Sequence, residues 1–115
     1  MRVMPIRYTA DVEALTRFYR VLGLEAGPVS RPGGWAELPA AGGMLAVHRS
    51  GGADVGRCEL AFETGEPLDA VAARLRAAGF EPGPVIDEGY GSSLRVQDPD
   101  GVWVQVNVYE RELYT

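Results

Sequence analysis

The 115-residue chain is poor in the residue types that most often announce a function. It has one cysteine, Cys58, which excludes an internal disulfide and fits a reducing cytoplasm. It has one histidine, His48, so no run of imidazoles marks a metal site. No apolar stretch approaches the ~20 residues that span a bilayer. The N-terminus has no basic flank leading into an apolar segment, so no signal peptide is expected. Basic residues form no cluster and the net charge is −5, which argues against nucleic acid and anionic membranes as partners. A cationic partner remains compatible with this charge. What is present is ordinary for a globular chain: 46 % apolar residues, with 15 glycines and eight prolines dispersed as turn formers.

Self-similarity organises the chain. Gly23-Leu24-Glu25-Ala26-Gly27-Pro28-Val29 returns as Gly79-Phe80-Glu81-Pro82-Gly83-Pro84-Val85, 56 residues later. The preceding segments keep that offset. Val12, Leu15, Tyr19 and Leu22 form one apolar stripe at helical spacing, and Leu68, Val71, Leu75 and Ala78 form another. Asp11 suits the N-cap of the first helix and Pro67 the first turn of the second. Gly23 and Gly79 suit the left-handed residue that ends each helix.

Strands are expected around the helices: 3–9, then 24–30, 35–39 and 44–49, then 58–64, and after the second helix 81–87, 92–97 and 102–110. Gly33-Gly34, Gly42-Gly43 and Asp100-Gly101 mark turns between them. In the last strand Val102, Val104, Val106 and Val108 alternate with Trp103, Gln105, Asn107 and Tyr109. The valines are expected to pack on a helix, leaving the other face to functional side chains. The expected fold is therefore α+β, two tandem βαβββ repeats. Residues 1–50 form the first module, 51–56 a linker and 57–115 the second, within one structural domain. Neither module is large enough to hide its sheet alone.

Asp11…Phe18-Tyr19…Leu22-Gly23 resembles the opening motif of the glyoxalase/bleomycin-resistance/dioxygenase (vicinal oxygen chelate) superfamily. Trp35-Ala-Glu-Leu38 with Leu45-Ala-Val-His48 resembles its third and fourth strands, and Asp98-Pro-Asp-Gly101 before a long alternating strand resembles its closing motif. The resemblance spans essentially the whole chain. It implies paired βαβββ modules whose curled mixed sheets form a shared, open cavity, and a homodimer, paired side by side or by exchange of strands or modules. Metal-using members place His, Gln or Glu at four strand positions. Those positions fall here on Met4, Val47, Glu59 and Gln105, with one residue of latitude at Glu59. Met4 and Val47 offer no oxygen or imidazole nitrogen to a divalent ion. The resemblance thus points to the ligand-binding, bleomycin-resistance-like branch, without metal or other cofactor.

Seven residues are candidate ligand contacts: Trp35, Glu37, Glu59, Arg95, Trp103, Gln105 and Asn107. Trp35 and Trp103, read as the turn-proximal ends of equivalent strands, are aromatic walls for a flat ligand or else packing residues. Glu59 and Glu63 alternate against Cys58, Leu60 and Phe62, so both carboxylates point away from the helix side. There they serve as cation-binding groups, as bases, or simply as solvated charges. Glu37 and Arg95 stand on matching strands and form either an ion pair or two separate charges. His48 is read on the face opposite Gln105, as a structural residue rather than an acid/base. Cys58 is read as a small buried hydrophobe. No catalytic residue is identified.

These readings favour metal-independent binding of a small organic ligand, aromatic and partly cationic, such as a drug or secondary metabolite. The alternative is a lyase, isomerase or glyoxalase-like enzyme of the same fold that uses carboxylate acid/base chemistry on a bound carbonyl. The ligand set at Met4 and Val47 predicts that protein purified without chelators carries no stoichiometric transition metal. Elemental analysis finding one Zn, Ni, Mn or Fe per chain would reverse that expectation.

Overall fold

The computed structural model describes all 115 residues. It divides into two compact units, Val3–Glu59 with Thr115, and Met1–Arg2 with Leu60–Tyr114. The first unit contains β2 (Ile6–Thr9), α1 (Val12–Leu22), β3 (Ser30–Arg31), β4 (Trp35–Ala40), β5 (Gly43–Arg49) and β6 (Cys58–Glu59). Its five-stranded sheet runs β3-β4-β5-β2-β6, parallel only between β2 and β5. The second unit contains β7 (Ala61–Glu63), α2 (Leu68–Ala77), β8 (Ile86–Glu88), β9 (Gly91–Gln97) and β10 (Trp103–Tyr109). With the short β1 (Arg2–Val3), its sheet runs β1-β7-β10-β9-β8, parallel between β7 and β10. Each unit is one βαβββ module with a helix on one face of a mixed sheet, as the sequence repeat predicts.

Both helices form for legible reasons. Asp11 caps α1, its carboxylate accepting the Ala14 N–H at 3.0 Å. Val12, Leu15 and Tyr19 then pack with Leu24, Ala36, Leu38, Leu45 and Val47. Leu22 does not join them. It is 67 % exposed, because the chain reverses at Gly23 and sends Leu24 into the core instead. In α2, Leu68, Val71, Ala72 and Leu75 pack with Phe62, Leu94, Val106 and Val108. Ala78, the end of the predicted stripe, is the exposed C-cap. Pro67 stands at the N-cap of α2 rather than in its first turn, with no side-chain cap. Arg74 donates to Glu66 at 2.9 Å and holds that carboxyl below its ordinary value. The contact is intact above the ordinary carboxylate range and is lost as pH falls through the lowered pKa; being solvent-exposed, it contributes little to stability.

The repeated heptapeptide is not the strand predicted at 24–30 and 81–87. Only Ser30–Arg31 and Ile86–Glu88 pair in those regions. The heptapeptide is instead a helix stop followed by a docking point. Leu24 N–H reaches back to Tyr19 O at 2.9 Å and Phe80 N–H to Leu75 O at 3.0 Å. Gly27 N–H then donates to Glu37 O at 2.9 Å, and Gly83 N–H to Arg95 O at 2.8 Å. Pro28, Pro82 and Pro84 have no N–H to extend a ladder, so each segment touches its sheet by isolated bonds. A Cβ on Gly27 would meet Glu37 O at 2.8 Å and Pro39 Cδ at 2.9 Å, which explains the glycine.

Two other predicted strands divide. Residues 3–9 break at Met4-Pro5, and 58–64 break at Leu60. Cys58 and Glu59 therefore belong to the first module's sheet, while Ala61–Glu63 belong to the second's. Glu59 and Glu63 do not share a sheet face, contrary to their alternation in sequence. Cys58 is exposed, not buried.

In the second module Glu63 joins both ends of the chain. It pairs with Arg2 and accepts from Arg111 Nη2 at 2.9 Å, with its side chain only 13 % exposed. Gly91, opposite Tyr109, has φ +144° and leaves no room for a Cβ against the Val108 carbonyl. Gly91→Ala is expected to destabilise the protein by more than about 1 kcal/mol, measured by urea unfolding. Gly42→Ala, where nothing lies within 4 Å, serves as the control. Equal midpoints for the two variants would refute this account of Gly91.

Candidate functional site

Because each helix covers one face of its sheet, strand register fixes what the other face carries. In the first module Ala36, Leu38, Leu45 and Val47 face α1. Their neighbours face the other way in two transverse rows. Trp35 pairs with His48, and His48 with Tyr8. Glu37 pairs with Ala46, Ala46 with Ile6, and Ile6 with Glu59. One row is aromatic, and the other is two carboxylates separated by a methyl and an isoleucine.

The two rows are joined by hydrogen bonds. Trp35 Nε1 donates to Glu37 Oε2 at 3.0 Å. Tyr8 OH donates to Glu59 Oε2 at 2.8 Å. Glu37 is 2 % exposed, and the Glu59 side chain 11 %. Arg57 approaches Glu59 at 3.5 Å and lies over the Tyr8 ring, 5.7 Å from its centroid. The aromatic row is in ring contact throughout: Trp35 meets His48 edge-on with centroids 5.6 Å apart, and His48 lies 5.5 Å from Tyr8. His48 thus shares a face with Trp35 and Tyr8, not the helix side on which the sequence reading put it. The error was one residue of register, enough to invert a side chain. Tyr8, outside the seven candidates, belongs to the same group. Its link to Glu59 joins positions 51 residues apart, so no sequence spacing displays it.

The second module carries a different chemistry on the equivalent positions. Ser93, Asn107 and Glu63 form one row and Arg95, Gln105 and Ala61 the other. Asn107, fully buried, donates to Gln105 Oε1 at 2.9 Å and accepts from Tyr90 OH at 2.9 Å. Ser93 donates to Glu88 at 3.0 Å. Glu37 and Arg95 do hold matching positions in the two modules, as expected. Trp35 and Trp103 do not: Trp35 corresponds to Ser93, while Trp103 starts β10, pairs with Gln97 and is 56 % exposed. Of the seven candidates, Trp35, Glu37 and Glu59 share the first module's face, and Arg95, Gln105 and Asn107 the second's.

The residues do not fit a divalent metal. Val47, the fourth-strand candidate position, faces α1; Ala46 occupies the opposite face, and neither has a donor atom. Met4 is fully buried, and no three His, Cys, Asp or Glu side chains are grouped to hold an ion.

No curated protein sequence matches the chain. Among solved structures, the NAD-dependent benzaldehyde dehydrogenase from Legionella pneumophila superposes with a TM-score of 0.71 at 15 % identity, covering 94 % of this chain and 99 % of that one. A glyoxalase/bleomycin resistance protein/dioxygenase superfamily member from Vibrio splendidus 12B01 superposes with a TM-score of 0.61 at 18 % identity, covering 93 % and 97 %. At these identities the likeness is one of fold. The bleomycin-binding protein of Streptomyces verticillus, complexed with copper(II)-bleomycin, aligns over 96 % and 97 % at 22 % identity with a TM-score of 0.43. The family model that matches residues 3–106 covers nearly all of both modules, and the chain belongs to the Glyoxalase/Bleomycin resistance protein/Dioxygenase superfamily.

Proposed function

We propose that this protein binds a flat small organic molecule, a drug or secondary metabolite, without metal or other cofactor. The observation that carries this reading is the paired arrangement on the first module's sheet. The contiguous ring row Trp35–His48–Tyr8 runs beside the carboxylates Glu37 and Glu59. Rings offer a stacking surface that tolerates many planar ligands, and nearby carboxylates favour one bearing positive charge. The indole and phenol donors fix both carboxylates in place. In the second module Gln105 and Asn107 are proposed hydrogen-bonding groups, Arg95 a charged one, and the exposed Trp103 a second stacking surface.

Tryptophan fluorescence titrated with planar aromatic cations and bleomycin-type glycopeptides tests this reading. Trp35→Ala is expected to weaken binding by about 1–3 kcal/mol. Glu59→Gln should also weaken it and flatten its salt dependence, because the charged part is screened. Trp103→Ala reports separately on the second module. A bound ligand whose affinity is the same in all three variants would sink the site assignment while leaving the fold intact.

We further propose a homodimer. Phe18, Val21 and Leu22, on adjacent turns of α1, are 60 %, 78 % and 67 % exposed and form one apolar patch suited to a partner surface. Both sheets also end on short edge strands, β3 and β8. A second copy related by a two-fold axis is the usual cover. Sedimentation equilibrium at micromolar concentration should give a species roughly twice the 12.4 kDa chain mass; a purely monomeric profile would refute it.

A further inference from the structure

One end of the first module's aromatic row opens into a cleft whose chemistry is opposite to that of the carboxylate row. The cleft is lined by Arg31, Trp35, His48, Arg49 and the turn residues Gly34 and Gly51, with Ala10 and Ser50. The chain has 16 acidic residues against 11 arginines and lysines, yet no carboxylate lines this cleft. Four other arginines are spent on internal ion pairs: Arg2, Arg57, Arg74 and Arg111. Arg31 and Arg49 are exposed and make no such pair. A guanidinium fork presents a planar set of donors matched to carboxylate or phosphate oxygens.

The strand geometry holds this arrangement in place. Arg31 pairs with Trp35 across β3 and β4, and Arg49 N–H donates to Gly34 O at 2.8 Å, closing the end of the sheet behind the cleft. His48 Nδ1 lies 2.5 Å from the Arg49 carbonyl. A carbonyl can only accept, so Nδ1 carries the hydrogen and Nε2 is the remaining polar atom of the ring. Trp35 and His48, in edge contact, supply ring surface beside the two free cations.

We propose that this cleft binds an aromatic anion, with its ring against Trp35 and His48 and its carboxylate or phosphate met by Arg31 and Arg49. The inference deepens the ligand-binding reading, on which it rests for the ring row, and assigns the ligand an acidic group at this end. A net charge of −5 repels anions in general, so any selectivity for one has to come from a local site such as this.

Calorimetric titration with 2-naphthoate, 2-naphthyl phosphate, neutral 2-naphthamide and cationic 2-naphthylmethylammonium tests it. The expected result is that at least one anion binds roughly tenfold or more tighter than the amide. Arg31→Ala with Arg49→Ala should remove that advantage, leave the amide affinity unchanged and not weaken the ammonium, which loses two repelling charges. Which anion binds tighter identifies the acid group as carboxylate or phosphate. An anion no tighter than the amide, or an anion affinity unmoved by the double substitution, overturns the proposal. The two readings fail differently. Loss of the anion preference with retained, Trp35-dependent binding of the ammonium probe removes only this inference. Binding of no naphthyl probe that responds to Trp35→Ala removes the ring row and this inference with it. Arg31→Lys with Arg49→Lys, which keeps charge but not the planar fork, should restore only part of the preference and guards against a fold defect in the alanine pair.

Discussion

The structure depends most on the register of two parallel strand pairs, β2 with β5 and β7 with β10. Each pair lies next to the helix of its module, so one face of its residues packs on that helix. Val47 against α1 and Val106 against α2 are the equivalent anchors. Once those valines are committed to the cores, every alternate residue is committed to the other face. Slipping either strand by one residue would put His48 or Asn107 against a helix and turn the valine away from it. The cost of exposing an apolar core and of stranding a buried amide is what locks the register.

Within that constraint the two modules have kept their scaffold and diverged on the sheet faces turned away from their helices. The helix stops, the returning N–H at Leu24 and Phe80, and the docking of Gly27 and Gly83 are the same in both. The positions they support are not. Where the first module has Trp35, His48 and Tyr8, the second has Ser93, Asn107 and Glu63. The first is suited to stacking and charge, whereas the second combines the bonded group Tyr90–Asn107–Gln105 with a Ser93–Glu88 contact and the Glu63 ion pairs. Buried hydrogen bonds of this kind fix the orientation of the side chains that make them.

Charge is also partitioned. Arginine carries all of the chain's positive charge, since the sequence contains no lysine. Glu63 gathers Arg2 and Arg111 into a clamp on the chain ends, and Glu59 holds Arg57 close to Tyr8. A rigid fork that keeps its charge at any accessible pH suits such fixed contacts better than a flexible ammonium.

The sequence alone determined the repeat, both helices with their stop glycines, the central strands and the family, because these rest on periodicity and on local backbone chemistry. Alternation in β10 correctly separated Val106 and Val108 from Gln105 and Asn107. Alternation in β4 likewise brought Trp35 and Glu37 to one face, since those residues sit two apart on one strand. Tertiary structure decided the rest. Residues 24–30 and 81–87 look like strands because they mix apolar residues with turn formers, but their prolines lack the N–H that a ladder needs. The break at Leu60 divided Glu59 from Glu63 between two sheets, and no local pattern signals a strand that changes sheets. The pairing of Trp35 with His48 and Tyr8, and of Tyr8 with Glu59, depends on inter-strand register, which is set by core packing between residues far apart in the chain. A sequence displays which residues can share a strand face; only the packed sheet decides which strands lie side by side.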